Sequence, residues 1–314
     1  MLILGQKYNF TKLELKRLDE KFTSIERILY DKKNPKDVIS KIEASLQKDS
    51  FSVVVLNTKA KVNDEIIKYL TNLKYDEKHK NIKIISIEHF LEKYLNKCYI
   101  PISNDDLHYL DDIKPFTLWQ RFQKKIVDMI GVIFLFFIFL FVKYIVKKKL
   151  NEQSPGDIYF RQLRVGLNNK EFKCIKFRSM VLDAEKDGIK FASKDDDTRV
   201  FPFGNFMRRT RIDEIPQLFN IFKSEMSLIG PRPERKHWIK KDFEKNIPYY
   251  NERHIVKPGI TGWAQVMYSY GDGSIEDARQ KLMYDMYYIK YWNILLELKI
   301  IFKTILVVIG RKGV

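Results

Sequence analysis

Between Met207 and Glu234 the chain reads MRRTRIDEIPQLFNIFKSEMSLIGPRPE, which brings arginines, an adjacent carboxylate pair and a proline-bracketed arginine into one short stretch. Ionisable groups concentrated in this way suit phosphate chemistry. Asp213 and Glu214 stand where Ile215, Leu218, Phe219 and Phe222 start to recur at helical spacing, and Pro216 is tolerated only in a first turn. The pair is therefore expected at a positive helix end, where free N–H groups keep a carboxylate ionised and attract phosphate. An ordinary acidic first turn would show the same two residues. The neighbouring Arg208, Arg209 and Arg211 add what such a turn lacks, cations that let a carboxylate and an anionic substrate share one pocket. In Gly230-Pro231-Arg232-Pro233 the prolines hold the backbone extended and present the Arg232 guanidinium from a stiff arm, a geometry suited to bidentate phosphate binding.

A second basic group lies upstream. Ile158-Tyr159-Phe160 and Phe172 to Phe177 read as strands of a β-hairpin turning at Leu167-Asn168-Asn169-Lys170, with Arg161 and Arg164 on one arm and Lys176 and Arg178 at the end of the other. Strand alternation puts Lys176 and Arg178 on one face, within reach of the same phosphate groups, although a solvated basic face would look alike.

Ile212-Asp213-Glu214-Ile215-Pro216-Gln217-Leu218-Phe219-Asn220 and Met226-Ser227-Leu228-Ile229-Gly230-Pro231-Arg232-Pro233-Glu234 closely resemble the signature of the bacterial sugar transferases, the monotopic polyprenyl-phosphate phosphoglycosyl transferases. The resemblance runs from about Phe122 to Val314. It includes Phe160-Arg161-Gln162-x-Arg164-Val165-Gly166, Lys176-Phe177-Arg178-Ser179-Met180 and Lys257-Pro258-Gly259-Ile260-Thr261-Gly262-Trp263-Ala264-Gln265. It implies transfer of a sugar 1-phosphate from a UDP-sugar to undecaprenyl phosphate with release of UMP, at the cytoplasmic face of the bacterial inner membrane, as the first membrane step of surface glycan synthesis. By the same resemblance Asp213 is the nucleophile that becomes an aspartyl phosphosugar, and Glu214, beside Asp213, holds Mg²⁺. Lys176, Arg178, Arg208, Arg209 and Arg232 hold phosphates, and Asp285 in Tyr284-Asp285-Met286-Tyr287-Tyr288, the family's further acid, is placed at the phosphates with them.

These groups need a scaffold, and the chain divides in two to supply it. Of 314 residues, 45% are hydrophobic and 31% charged, enough for a sizeable core. After Ile113 there are 37 basic against 22 acidic residues, before it 20 against 18, so most of the formal charge of +17 belongs to the second part. That asymmetry calls for an anionic partner; charge alone does not separate nucleic acid, anionic lipid and nucleotide phosphates. Aromatic residues mixed with the lysines in apolar segments favour lipid over nucleic acid.

Residues 1–113 alternate short apolar strands (Leu2-Ile3-Leu4, Arg27 to Tyr30, Phe51 to Leu56, Ile82 to Ile87) with helical patterns at Lys12 to Lys21, Lys36 to Gln47, Asp64 to Leu73 and Ile87 to Leu95. Such alternation predicts an α/β domain with a parallel sheet. Gly5-Gln6-Lys7-Tyr8-Asn9 lacks the further glycines of a dinucleotide-binding turn. The domain resembles the cut-down Rossmann-like accessory domain of larger family members, with docking or homo-oligomer contact as its expected use. Residues 114–120 are expected as a linker, overlapping the end of the Asp-rich Asn104 to Thr117 stretch, 121–150 as a membrane segment, and 151–314 as an α+β catalytic domain.

Met129 to Val142 is apolar throughout, shorter than the ~20 residues a bilayer crossing needs. Arg121, Lys124 and Lys125 precede it and Lys143, Lys147, Lys148 and Lys149 follow, so both ends carry the cytoplasmic mark and the segment is expected to dip and return as a re-entrant helix. A tilted crossing and a buried helix are the alternatives. The family usually breaks this helix with a Ser-Pro pair; here no proline lies between Arg121 and Asn151, which leaves Gly131 as the expected weak point. Tyr284 to Ile309 reads as an interfacial amphipathic helix, though a helix packed in the core would show the same pattern, and Lys257 to Trp263 reads as a tight turn that brings Trp263 to the interface or the substrate.

Asp195-Asp196-Asp197 is a competing metal motif, of the kind a glycosyltransferase releasing UDP would use, and Asp183, Glu185 and Asp187 form a second acidic run. A non-catalytic basic membrane adaptor is the remaining alternative. The histidines lack ligand spacing, His237 and His254 being read as surface or interface residues, and Cys98 and Cys174, with apolar residues among their neighbours, read as buried reduced thiols. The N-terminus does not have the pattern of a secretory signal.

Overall fold

The structure, a computed structural model, describes residues 1–59, 61–103, 111–184, 186, 197–268 and 273–310. The chain forms two compact units, Met1–Tyr99 and Ile100–Val314, so the dividing line falls ahead of the Asn104 to Thr117 stretch.

The first unit alternates strands and helices: β1 (Leu2–Leu4), α1 (Lys12–Asp19), β2 (Glu26–Ile28), α2 (Pro35–Lys48), β3 (Val53–Leu56), α3 (Asp64–Asn72), β4 (Lys83–Ser86) and α4 (Ile87–Phe90). The strands make one parallel sheet in the order β2-β1-β3-β4. All three β1 residues are buried, as an apolar run covered on both faces requires. Val38 and Ile42 of α2 and Ile66 and Leu70 of α3 join Leu2, Leu4 and Val54 in its core. At the turn after β1 the buried Asn57 side chain accepts from Tyr8 N–H at 2.7 Å and donates to Tyr8 O at 2.9 Å. The Asn57 carboxamide therefore holds the turn after β1 by its backbone.

The second unit is built along α5 (Leu118–Gln153), a 36-residue helix opened by a capping box between Thr117 and Gln120. It is followed by β5 (Tyr159–Val165), β6 (Glu171–Phe177), α6 (Pro202–Arg209), a 3₁₀ turn at Ile212–Gln217, α7 (Leu218–Phe222), β7 (Ser227–Ile229), α8 (Lys236–Trp238), α9 (Glu244–Asn246), β8 (Gly259–Thr261), α10 (Trp263–Met267), α11 (Ile275–Lys290) and α12 (Ile294–Ile309). β5 and β6 form the antiparallel hairpin, with Phe160 opposite Lys176, and β7 pairs with β8 in parallel.

One stripe of α5 packs onto the unit over nearly its whole length. Lys124, Asp128, Val132, Phe139, Val146 and Leu150 are its buried residues. Phe139 stacks on Phe177 at 5.8 Å, while Val146 and Leu150 share a core with Phe201, Met207 and Leu218. The other side is bare: Phe134, Phe137 and Phe141 are 66%, 67% and 72% exposed, and only 17% of the most apolar window is buried. A core helix would not leave that face uncovered.

The expected break at Gly131 is absent; the helix is a single element across it. A Cβ at Gly131 would lie 2.6 Å from Leu228 Cδ2, so this glycine serves close packing against β7. Lys124, read from the sequence as part of the basic flank, is instead buried. Its Nζ donates to Ile229 O at 2.8 Å and to Tyr288 OH and Glu297 Oε1, both at 3.0 Å. This knot ties α5 to β7, α11 and α12.

The helical pattern from Tyr284 to Ile309 divides at Tyr291–Asn293, where the Asn293 side chain caps α12. Leu295, Leu298, Phe302, Ile305 and Ile309 of α12 are exposed, a second bare apolar face. Trp292, which lies within that helical pattern, is buried, with its indole N–H donating to Glu297 at 2.6 Å. Trp263 is likewise buried, 1% exposed and stacked on Tyr287, rather than at an interface. His254 is buried too, and burial followed by the nearby Arg253 pushes its imidazole down to about 3.

The apolar stripe of α5 gives a first prediction. Phe137→Asp with Phe141→Asp, on the exposed face, should abolish flotation with lipid vesicles and leave thermal unfolding of the solubilised protein within about 3 °C, because surface substitutions typically move stability by less than about 0.5 kcal/mol. Unchanged flotation would mean that this face does not meet lipid.

Candidate active site

Three elements converge on one cavity of about 650 Å³. β6 supplies Lys176, the 3₁₀ turn supplies Asp213 and Glu214, and the Gly230–Pro233 arm after β7 supplies Arg232; all four line it. The arm is fixed by backbone pairing. Gly230 N–H donates to Thr261 O at 2.9 Å and Gly259 N–H to Pro231 O at 3.0 Å. A Cβ on Gly259 would come within 2.0 Å of Gly230 N, so the two motifs zip together only if Gly259 is glycine. Arg164 Nη1 donates to Pro233 O at 3.1 Å, which pins the arm to β5 as well.

The carboxylates do not head a long helix as the sequence suggests. They sit within the 3₁₀ turn, after Arg211 in left-handed geometry (φ 60°), and α7 beyond has only five residues. Charge at the pair is therefore governed by side chains rather than by a helix dipole. Glu214 Oε1 lies 2.6 Å from Lys176 Nζ, 3.1 Å from Arg232 Nη1 and 3.7 Å from Arg211 Nη1. Burial alone would raise its pKa; the three cations outweigh burial and hold the carboxyl well below the usual range.

Asp213 is in a different state. Its Oδ2 is 4.0 Å from Lys176 Nζ, and its buried Oδ1 has no hydrogen-bond partner among the described residues. Burial pushes its carboxyl up to about 6; Lys176 opposes this and the Glu214 charge reinforces it. Adjacent carboxylates are thus separated in role by environment, one neutralised by cations and the other underbonded.

Arg232 is itself positioned from behind. Arg253 Nη2 donates to Arg232 O at 2.8 Å and Nη1 to Tyr250 OH at 2.7 Å, while Asp285 Oδ2 lies 2.8 Å from Arg253 Nη2. Arg253 and Asp285 are 4% and 1% exposed. Asp285, expected at the phosphates, lies outside the cavity lining and is paired with Arg253, which in turn bonds the Arg232 carbonyl.

Other expected residues divide. Arg208 is half-buried and lines the cavity, whereas Arg209 is exposed and does not. Arg178 reaches the lining but four of its five N–H donors are used: Nε on Asp157 O at 2.7 Å, Nη1 on Ser154 Oγ at 2.6 Å and Met180 O at 3.2 Å, and one from Nη2 on Ser154 O. It caps the end of α5 instead of presenting a free fork to phosphate. Arg211 was noted in the sequence only as a neighbour; its left-handed backbone turns it onto Glu214, which helical spacing does not foretell. The sequence assigns no role to Asn220, which is fully buried in the 3₁₀–α7 segment. It accepts from Ile175 N–H at 3.0 Å and donates to Lys173 O at 2.8 Å, locking that segment to β6 so that Lys176 reaches Glu214.

Of the competing acidic motif, Asp195 and Asp196 lie outside the described residues, as do Glu185 and Asp187, while Asp197 is paired with Arg199 at 2.7 Å. No cluster of three or more metal-ligating side chains occurs among the described residues. The unsatisfied Asp213 Oδ1 beside Glu214 does fit Mg²⁺, which is held by one or two carboxylates together with substrate phosphates.

Comparison with known proteins adds an independent finding. Residues 119–311 match the family model described as bacterial sugar transferase. The UDP-N-acetylgalactosamine-undecaprenyl-phosphate N-acetylgalactosaminephosphotransferase of Aeromonas hydrophila is 40% identical over 211 residues, 67% of this chain and 49% of its own. The UDP-glucose:undecaprenyl-phosphate glucose-1-phosphate transferase of Xanthomonas campestris pv. campestris is 39% identical over 68% of this chain and 43% of its own. An uncharacterized sugar transferase of Bacillus subtilis (strain 168), 36% identical, is matched over 89% of its length by 61% of this chain. The chain thus spans half or less of the first two relatives.

Proposed function

Because this chain belongs to the bacterial sugar transferase family, we propose that its second unit transfers a sugar 1-phosphate from a UDP-sugar to undecaprenyl phosphate and releases UMP. The observation that carries this reading is the unequal carboxylate pair: Glu214 held by three cations, and Asp213 beside it with an oxygen left unbonded in the same cavity.

An Asp213 oxygen attacks the sugar-bearing phosphorus of the donor. The bond from that phosphorus to the bridging oxygen breaks, and UMP departs with the electron pair. An acyl phosphate now joins Asp213 to the sugar phosphate. An oxygen of undecaprenyl phosphate then attacks the same phosphorus, forming the lipid diphosphate and returning the Asp213 carboxylate. Division into two displacements lets two bulky anions use one cavity in turn. Lys176, Arg208, Arg211 and Arg232 hold the phosphate oxygens and offset their charge. Asp213 and Glu214 would hold Mg²⁺, which supplies further neutralisation of the diphosphate when bound.

The site also belongs at a lipid surface. α5 carries basic residues at both ends and is covered along one stripe from Lys124 to Leu150, which supports a helix embedded on one side in the cytoplasmic leaflet of the inner membrane rather than a crossing. In place of a broken, re-entrant dip, the continuous helix would lay its Phe-rich face among the acyl chains. The acceptor then meets the cavity with its phosphate at the boundary and its chain in the bilayer.

The nucleophile must be ionised, and the Asp213 carboxyl stands near 6. Donor cleavage should therefore fall as pH drops through about 6, close to tenfold per unit below it, read as UMP released with acceptor present. Release of UDP in place of UMP would favour a glycosyltransferase and sink this reading.

A further inference from the structure

A second cavity, of about 900 Å³, shares no lining residue with the first. It opens between the start of α5, the turn joining β5 and β6, the segment that follows α7, and the residues leading to Lys257. Four cations line it, Arg121, Lys124, Lys125 and Lys257, against one carboxylate, Asp128. Lys124 is spent on Glu297 and the Ile229 carbonyl. Asp128 is partly spent, its Oδ1 accepting from Leu228 N–H at 2.7 Å. Arg121 gives Nε to Phe116 O at 2.8 Å and makes no ion pair, and Lys125 and Lys257 make none either, among the described residues. Lys257 is half-buried, and burial pushes its ammonium pKa down. Asp128 counters this, but Lys124, Lys125 and Arg121 push the same way as burial. The cavity therefore holds positive charge that the protein does not neutralise.

Its remaining lining is mostly apolar, with Asn168, Ser224 and Ser227 interspersed; Phe116, Ile221, Met226 and Val256 are buried, while two large apolar residues face outward. Phe222, 70% exposed, stands on the rim, and Met129 belongs to the bare side of α5. At the same end of that helix the exposed rings of Trp119 and Phe122 stack at 5.6 Å, amphipathic aromatics of the kind that settle at headgroup depth. Cations above an apolar surface match a headgroup phosphate with its acyl chains beneath. A free anion would have no use for the apolar half.

We infer that this second cavity binds the phosphate of an anionic membrane phospholipid and so fixes how the catalytic unit sits on the leaflet. The inference concerns a site separate from the carboxylate pair and stands whichever reaction that pair performs.

The test uses the full chain solubilised in a non-ionic maltoside, titrated with dihexanoyl phosphatidylglycerol, dihexanoyl phosphatidylcholine, inorganic phosphate and a short-chain polyprenyl phosphate. Phosphatidylglycerol should bind at least about fivefold more tightly than phosphatidylcholine, the worth of one lysine at an anionic lipid surface. Lys257→Gln should remove that preference, Lys257→Arg should keep it, and Lys176→Gln, in the other cavity, should leave it unchanged. Lys125→Gln, on the exposed surface of α5, should weaken it in the same direction and guards against misfolding at the buried position. Equal binding of the two phospholipids, a preference that survives both glutamine variants, or loss of it in Lys176→Gln would overturn the assignment. So would inorganic phosphate binding as tightly as phosphatidylglycerol, or polyprenyl phosphate binding that Lys257→Gln weakens as much as it weakens phosphatidylglycerol while Lys176→Gln leaves it intact.

Discussion

Asp213→Asn should lower sugar-phosphate transfer by at least about a thousandfold, because the amide cannot act as the nucleophile that divides the reaction in two. The same variant should fold at least as well as the parent at pH 7.5. Burial raises the folded-state pKa of Asp213 to about 6, above the ordinary carboxylate value, so holding it ionised at neutral pH costs stability. The sign follows from proton linkage: between the two pKa values the folded chain binds more protons than the unfolded one, and stability falls as pH rises through that window. A neutral amide escapes the penalty, so its melting temperature should equal or exceed the parent's above pH 6, and any advantage should fade below pH 4. Lost turnover with a retained or raised melting point separates chemistry from collapse. Retained turnover would remove Asp213 from the mechanism.

The second large effect is expected away from the cavity, at Asp285→Ala. The substitution leaves Arg253 buried and without its carboxylate, a change that typically costs about 3–5 kcal/mol. Because Arg253 also holds the carbonyl of Arg232 at 2.8 Å, the guanidinium beside Glu214 loses its support. Thermal unfolding should drop by about 6–20 °C for a unit of this size. At a temperature where the variant remains folded, KM for the UDP-sugar should rise more than kcat falls, as expected when a phosphate-binding arm loosens while the nucleophile stays in place. Near-normal stability with kcat lost and KM unchanged would mean that Asp285 touches the reacting groups directly.

The sequence exposed the parts of the site that are local in the chain. Asp213 and Glu214 are adjacent, Arg232 is bracketed by prolines, and Lys176 lies on a strand whose alternation could be followed by eye; the structure brings all four to one cavity. Alternation also placed Arg178 beside Lys176, but it is silent about what else a donor will meet, and the end of α5 takes up the Arg178 guanidinium. What sequence could not show is long-range. Arg253 and Asp285 meet across 32 positions, Lys124 and Glu297 across 173, and no periodicity connects them. The helix expected at Asp213 is a 3₁₀ turn entered from a left-handed Arg211, and single-residue geometry of that kind leaves no pattern in apolar spacing. Gly131 shows the opposite hazard. Read as a weak point in a membrane helix, it is a contact point for Leu228. In the first unit, short strands and capped helices follow local rules closely, so the parallel sheet was legible almost element by element.

The central claim is that the chain itself carries the sugar phosphate between donor and acceptor. The most direct measurement is intact mass spectrometry of the full chain in a lipid nanodisc, mixed with a panel of UDP-sugars and Mg²⁺ in the absence of undecaprenyl phosphate. The account predicts a mass increase of one sugar phosphate for the matching donor, an equal amount of UMP, and mapping of the adduct to the peptide containing Asp213. No adduct with any donor, together with UMP appearing only after the acceptor is added, would contradict it.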